Sequence, residues 1–329
     1  MMFDGRPESI APSGLSLTPQ PLSPGLPPDR RERGAQETLR RTTPSSPVGK
    51  GGRLGEEGRG DEGPSAAPTE SEKIEVVGLI PAAGRAERLG PLPCSKELLP
   101  IGFRETPRGP APKVAGHYLL ERFWTAGVRR VFMVLHESKQ DVPRYFGTGE
   151  IAEVALAYLS IPGSRSVPET LDRAFPFVEE SIVALGFPDV IFKPADAYAP
   201  LIERQASTGA DLVLGLFPTE RFRSTDMVEL GEDGRVVRVE VRPESTELRY
   251  NWLIAVWSPV FTRFLHEAVR NASSEEGEFQ IGAVVRSAVE GGLHVEGIEF
   301  PAGSYRDVGT PAELAAAIRE HARLPPDPA

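Results

Sequence analysis

Residues 76–97 read VVGLIPAAGRAERLGPLPCSKE. A run of aliphatic residues, Val76–Ile80, ends in Pro81-Ala82-Ala83-Gly84, and Arg85, Arg88 and Lys96 follow. The aliphatic run reads as a buried strand. Small residues at its end leave backbone N–H groups with little side-chain cover, which suits close approach of phosphate oxygens. Arginine can grip such oxygens with a two-pronged fork and lysine as a point charge. A loop after the first parallel strand is also where α/β sheets place ligands. The competing reading of the same residues is a solvated basic loop. This stretch matches neither the GxGxxG dinucleotide fingerprint nor the GxxxxGK[ST] phosphate loop, so those two phosphate-binding solutions are excluded for it.

Working outward, apolar runs alternate with amphipathic stretches. Strands are expected at Val76–Ile80, Arg130–Leu135, Val154–Ile161, Ile182–Leu185 and Leu212–Phe217. Helices are expected at His117–Ala126, stopped by Gly127, at Pro168–Val178, and at Pro200–Ser207, closed by Gly209. This alternation implies a mostly parallel sheet covered on both faces. Beyond Phe217 the pattern changes. Met227–Leu230 and Val236–Val241 flank Glu232-Asp233-Gly234 and read as a hairpin. Asn251–Trp257 and His294–Glu299 read as strands, and Pro259–Val269 and Gln280–Glu290 as helices. Pro311–Ala322 reads as a helix with Thr310 as its cap.

Composition sets limits. The 329 residues are 40% hydrophobic and 26% charged, an ordinary globular balance, but 33 are proline, eleven of them in the first seventy positions. Residues 1–72 hold few large apolar side chains, too few to offset the entropy of ordering them, so a disordered N-terminal extension is expected. Its nine basic and eleven acidic residues make it no basic arm for nucleic acid, and it has no signal-peptide pattern. Residues 73–329 are expected to form one α/β domain. A net charge of −10 argues against nucleic-acid binding, and no apolar run is long enough to span a membrane. The lone Cys94 excludes an internal disulfide and suits a reducing cytoplasm, and the five scattered histidines give no zinc spacing.

The stretch PAAGRAERLGPLPCSKELLPIG resembles the signature loop of the sugar-phosphate nucleotidyltransferases, the enzymes of the glucose-1-phosphate thymidylyltransferase type. The resemblance implies a Rossmann-like three-layer fold with a mostly parallel central sheet and a small antiparallel insertion. Arg88 and Lys96 match the family's catalytic arginine and lysine, and Ala82, Ala83, Gly84 and Arg85 fall where its loop binds nucleotide. Arg85-Ala86-Glu87 departs from the glycine-threonine common there. Three further segments follow in the family's order. Ser166, within Gly163–Leu171, lies where the base is contacted, although the usual glycine-leucine is missing. Asp189, in Gly186-Phe187-Pro188-Asp189, and Asp307, in Tyr305-Arg306-Asp307-Val308-Gly309-Thr310-Pro311, match the two carboxylates expected to hold Mg²⁺. Asp196 is an acidic alternative, with a turn role as the plainer reading. Glu278-Phe279-Gln280-Ile281-Gly282 resembles the segment upstream of the second aspartate.

The sugar side is less faithful. Arg242, in Val239-Glu240-Val241-Arg242-Pro243, stands where a lysine grips the sugar phosphate, but Val241 replaces a glutamate. Leu253 and Asp226 stand where glycines are common, which implies a changed or smaller sugar pocket. The implied reaction joins a nucleoside triphosphate, dTTP or UTP, to a sugar 1-phosphate, with a cytoplasmic location and a homo-oligomer as further expectations. Two alternatives stand beside it: a non-catalytic nucleotide sensor on the same fold, and a cytidylyltransferase acting on another small phosphate.

Overall fold

Along the first strand successive side chains are buried on opposite sides of the sheet. Val77 and Leu79 enter one apolar cluster, while Ile80 and Ala82 enter the other. The computed structural model describes residues 74–272 and 279–322. Its first elements are β1 (Val76–Ala82), β2 (Pro100–Arg104), β3 (Ala111–Val114), α1 (Ala115–Thr125), β4 (Arg130–His136), α2 (Asp141–Phe146) and β5 (Ala155–Ile161). There follow α3 (Val167–Asp172), α4 (Phe175–Val178), β6 (Ile182–Leu185), β7 (Val190–Lys193), α5 (Tyr198–Thr208) and β8 (Leu212–Pro218). The last are β9 (Asp226–Leu230), β10 (Val236–Val241), β11 (Tyr250–Trp257), α6 (Pro259–Asn271), α7 (Ile281–Glu290), β12 (Val295–Glu299), β13 (Ser304–Asp307) and α8 (Pro311–His321). The N-terminal extension expected over residues 1–72, and Glu278, lie outside the described residues.

The main sheet runs β10-β9-β11-β6-β1-β4-β5, with β8 on β11 and β12 on β8. Its central strands β6, β1, β4 and β5 are parallel. Strand β11 is antiparallel to both β6 and β8, so the sheet is mixed towards that side. The chain steps from β1 outward to β4 and β5, then returns to β6 on the other flank of β1. Such a reversal opens a crevice at the carboxyl ends of the two strands. Both the loop after β1 and the turn after β6 meet there.

Helices cover both faces. Leu119 and Phe123 of α1 and Tyr198 and Leu201 of α5 pack in one cluster; Leu171 of α3, Phe261 of α6 and Val284 of α7 pack in the other. Helix α1 lies close on β1 because residue 78 is glycine: a Cβ there would meet the Phe123 ring at 3.0 Å. Phe123 itself is fully buried, and truncating such a residue to alanine typically costs about 3–5 kcal/mol.

Most expected elements are present within a residue or two. The expected helix over Pro168–Val178 is two short helices, α3 and α4. Pro176 has no N–H to donate to the carbonyl four residues back, so the helix stops and restarts. The hairpin β9–β10 is antiparallel as expected; Gly231 donates to the Arg235 carbonyl at 2.8 Å and Gly234 takes φ +81° in the turn. Three features were not expected: the hairpin β2–β3, the helix α2, and a separate two-stranded sheet pairing β7 with β13.

Candidate active site

The loop after β1 is held open by its own backbone and by long-range bonds. Ala86 takes φ +58° and Gly90 φ +80° on either side of a 3-10 turn at Glu87–Leu89. A Cβ on Gly84 would meet nothing within 4 Å, so the backbone there is uncovered. Farther along, the Ser95 N–H and hydroxyl both donate to Asp141, each at 2.6 Å. Asp141 opens α2, and although burial pushes its pKa up, these bonds hold it below the usual carboxylate value. Lys96 then begins a second 3-10 turn, Lys96–Leu98.

Lys96 points across the crevice. Its Nζ lies 2.5 Å from Asp189 Oδ2, in the turn between β6 and β7. Asp189 is only 8% exposed. Burial alone would push its pKa up, but Lys96, aided by Lys139, brings it below the ordinary value, so the carboxyl is ionised. Burial likewise disfavours the Lys96 cation, yet Asp189, Glu97 and Asp307 hold its pKa above the usual lysine value.

The second aspartate arrives from far along the chain. Strand β13 pairs antiparallel with β7, setting Asp307 opposite Val190, the residue after Asp189, and the Asp189 carbonyl accepts from Val308 N at 2.9 Å. Asp307 Oδ1 accepts from Gly309 N at 2.9 Å, and its Oδ2 lies 3.9 Å from Arg88 Nη2. Burial and the charge of Asp189 both push the Asp307 pKa up, against the pull of Arg88 and Lys96. Gly309 is needed at this point, since a Cβ would sit 2.7 Å from Arg88 Nη2 and 2.8 Å from Asp307 Oδ1. The Arg88 side chain is 70% exposed.

Four residues singled out in the sequence, Arg88, Lys96, Asp189 and Asp307, thus come together at the switch between β1 and β6. Ala82, Ala83, Gly84 and Arg85 lead into the same loop. A cavity of about 450 Å³ beside it is lined by Arg85, Ser95, Lys96, His136, Lys139 and Arg144 among others. Ser166 lies on another element and caps α3, accepting from Glu169 N at 3.3 Å. Arg242 follows β10 on the hairpin, beside Asp226. Leu253 sits at a bulge in β11 and is buried in the core. Asp196 is exposed and its carbonyl accepts from Ala199 N at 2.9 Å, a turn into α5. Burial, Asp141 and Glu97 push the Cys94 thiol up, which disfavours its thiolate.

Sequence reasoning missed the pair beneath this loop. Lys139 Nζ donates to Glu97 Oε1 and to the Ala82 carbonyl, each at 2.7 Å, and Glu97 is 0% exposed. This buried pair ties the end of β1 to the Lys96 turn. Nothing local marks Lys139 in Glu137-Ser138-Lys139-Gln140; the one available signal was a glutamate beside Lys96 in an otherwise apolar run.

Among the described residues no three carboxylate, histidine or cysteine side chains cluster as a metal cage, and no helix is long and apolar enough to cross a membrane. The family model that matches, over residues 77–323, is described as nucleotidyl transferase. A solved structure described as a glucose-1-phosphate thymidylyltransferase from Bacillus anthracis in complex with sucrose aligns with a TM-score of 0.65. It is 17% identical in sequence, and the alignment covers 76% of this chain and 96% of that one. That likeness establishes the fold. Among curated proteins none is significantly similar in sequence.

Proposed function

The chain belongs to the nucleotidyl transferase family, and we propose that it joins a nucleoside triphosphate, dTTP or UTP, to a sugar 1-phosphate and releases pyrophosphate. The observation that carries this reading is the convergence of Arg88 and Lys96 on Asp189 and Asp307.

The two carboxylates suit a hard divalent cation. Burial and the neighbouring Asp189 charge penalise the Asp307 carboxylate, and a cation between them relieves that repulsion. Mg²⁺ is commonly held by one or two carboxylates with substrate phosphates completing its shell, which agrees with a site of only two. Bound there, Mg²⁺ supplies charge neutralisation at the reacting phosphate.

The remaining chemistry is positioning. A sugar phosphate has its second pKa near about 6, so its dianion is already a nucleophile at neutral pH and needs no histidine base. The uncovered backbone at Gly84 and the cations Arg85, Arg88 and Lys96 hold the triphosphate, with Lys96 kept charged by its carboxylate neighbours. Arg242 aims the acceptor phosphate. An acceptor oxygen forms a bond to the α-phosphorus while the α–β bridging P–O bond breaks, and pyrophosphate leaves with the electron pair. Ser166, at the start of α3, is assigned to the base. The enzyme works as a cytoplasmic protein on small-molecule substrates.

The test is pyrophosphate release by the purified full chain with each common nucleoside triphosphate against a panel of sugar 1-phosphates and small phosphorylated alcohols. Release with dTTP or UTP and a sugar 1-phosphate is expected. Triphosphate binding without release for every acceptor would replace the enzyme with a sensor, and release with CTP and an alcohol phosphate would replace the acceptor.

A further inference from the structure

Asp226 opens β9, directly opposite Val241 across the hairpin. Its carboxylate accepts from the backbone N–H of Arg242, the residue just beyond Val241. Arg242 has φ +43°, in the left-handed region. A non-glycine residue there is strained and persists only when its surroundings hold it. Pro243 adds to the conflict, because the residue before a proline favours extended backbone.

The start of α7 completes the arrangement. A Cβ on Gly282 would lie 2.2 Å from Asp226 Oδ2 and 2.3 Å from its Cγ. No side chain fits at 282 while the carboxylate is in place. Helix α7 packs on β10, so the Asp226 carboxylate is wedged between the helix start and the end of the hairpin. Its Oδ1 is buried with no hydrogen-bond partner among the described residues, and burial pushes its pKa up against the pull of the Arg242 charge and N–H. A half-satisfied carboxylate is an expensive filler for such a gap. A role for its charge and its acceptor oxygen explains its presence.

We propose that Asp226 is a positioning residue: it holds Arg242 in its left-handed backbone so that the guanidinium faces the acceptor phosphate, and Gly282 supplies the space the carboxylate occupies. This rests on the reading of Arg242 as the residue that binds the sugar phosphate. Asp226 and Gly282 then act as a pair, and neither can change alone without disturbing the acceptor side.

The experiment combines kinetics with a structure. Asp226→Ala, Asp226→Asn, Gly282→Ala and the double variant Asp226→Ala/Gly282→Ala are assayed for KM of the sugar phosphate and of the triphosphate. Asp226→Ala is expected to raise the acceptor KM about tenfold while the triphosphate KM stays within about twofold, and Asp226→Asn, which keeps an acceptor oxygen, to restore most of the loss. Gly282→Ala is expected to reproduce the defect alone and to add nothing on the Asp226→Ala background. A crystal structure of Asp226→Ala, or of Gly282→Ala if the first does not fold, should show Arg242 out of the left-handed region. Arg242 staying at positive φ, or Gly282→Ala being equally harmful in both backgrounds, overturns the proposal. If the wild type releases no pyrophosphate with any acceptor, the functional reading falls, while the backbone of Arg242 still decides the role of Asp226.

Discussion

The loop after β1 and the hairpin β9–β10 differ in how many of their buried polar groups have partners. Around the loop, Ser95 is bonded to Asp141, Lys96 to Asp189, and Lys139 to Glu97 and to the Ala82 carbonyl. Among the described residues, Glu97 Oε2 beneath the loop is buried with no partner, and around the hairpin four atoms are so placed: Asp226 Oδ1, Asn251 Oδ1, Trp252 Nε1 and Gln280 Oε1. Buried polar atoms are normally satisfied, so a group of exceptions needs a cause. On the proposed reading, the side that takes the triphosphate has its charges placed by ion pairs and hydrogen bonds before any ligand arrives. On the same reading, the acceptor side holds more buried polar atoms without a protein partner among the described residues. A catalyst that works by positioning gains from fixing the highly charged partner first.

Four changes break or sharpen that contrast. The largest effect is expected from Lys139→Ala, which strands the fully buried Glu97; loss of one partner from such a pair costs about 3–5 kcal/mol. Chemical denaturation should show it as a lower midpoint, and the Glu97→Gln/Lys139→Met pair should recover much of the stability. Arg242→Ala should raise the acceptor KM at least about tenfold and leave the triphosphate KM nearly unchanged. Equal changes in both constants would erase the division between the two sides. Ser166→Ala removes the α3 cap and should cost about 1 kcal/mol of stability; an altered preference among triphosphates in the same variant would also place Ser166 at the base. Thr310→Ala removes the α8 cap, where Thr310 accepts from Glu313 N at 3.4 Å, and should cost a similar or smaller amount, about 0.5–1 kcal/mol, with no change in base preference.

The same contrast explains what the sequence could reveal. The central strands were legible because they are buried on both faces and therefore read as unbroken apolar runs such as Val131–Leu135. Helix α8 was legible from its local cap, Thr310 before Pro311. The sheet of β7 and β13 was not, because each strand has four residues and its partner lies more than a hundred positions away. That pairing is what sets Asp307 beside Asp189. The sequence placed both aspartates in matching motifs, but their proximity is a property of the register alone. Lys139 was invisible for a related reason: a single lysine in a polar segment is buried only because α2 and the Lys96 turn close over it. The split of α3 from α4 was readable from Pro176, whose missing N–H outweighs the amphipathic pattern.

The account turns on Lys96 and Asp189 serving a bound triphosphate as well as each other. Rates of pyrophosphate release by purified Lys96→Ala and Asp189→Asn, each checked for intact folding, test this most directly. A fall of about a hundredfold or more in both is predicted, the size seen when a preorganised charge-stabilising group is removed. Release at the wild-type rate in both variants would contradict it.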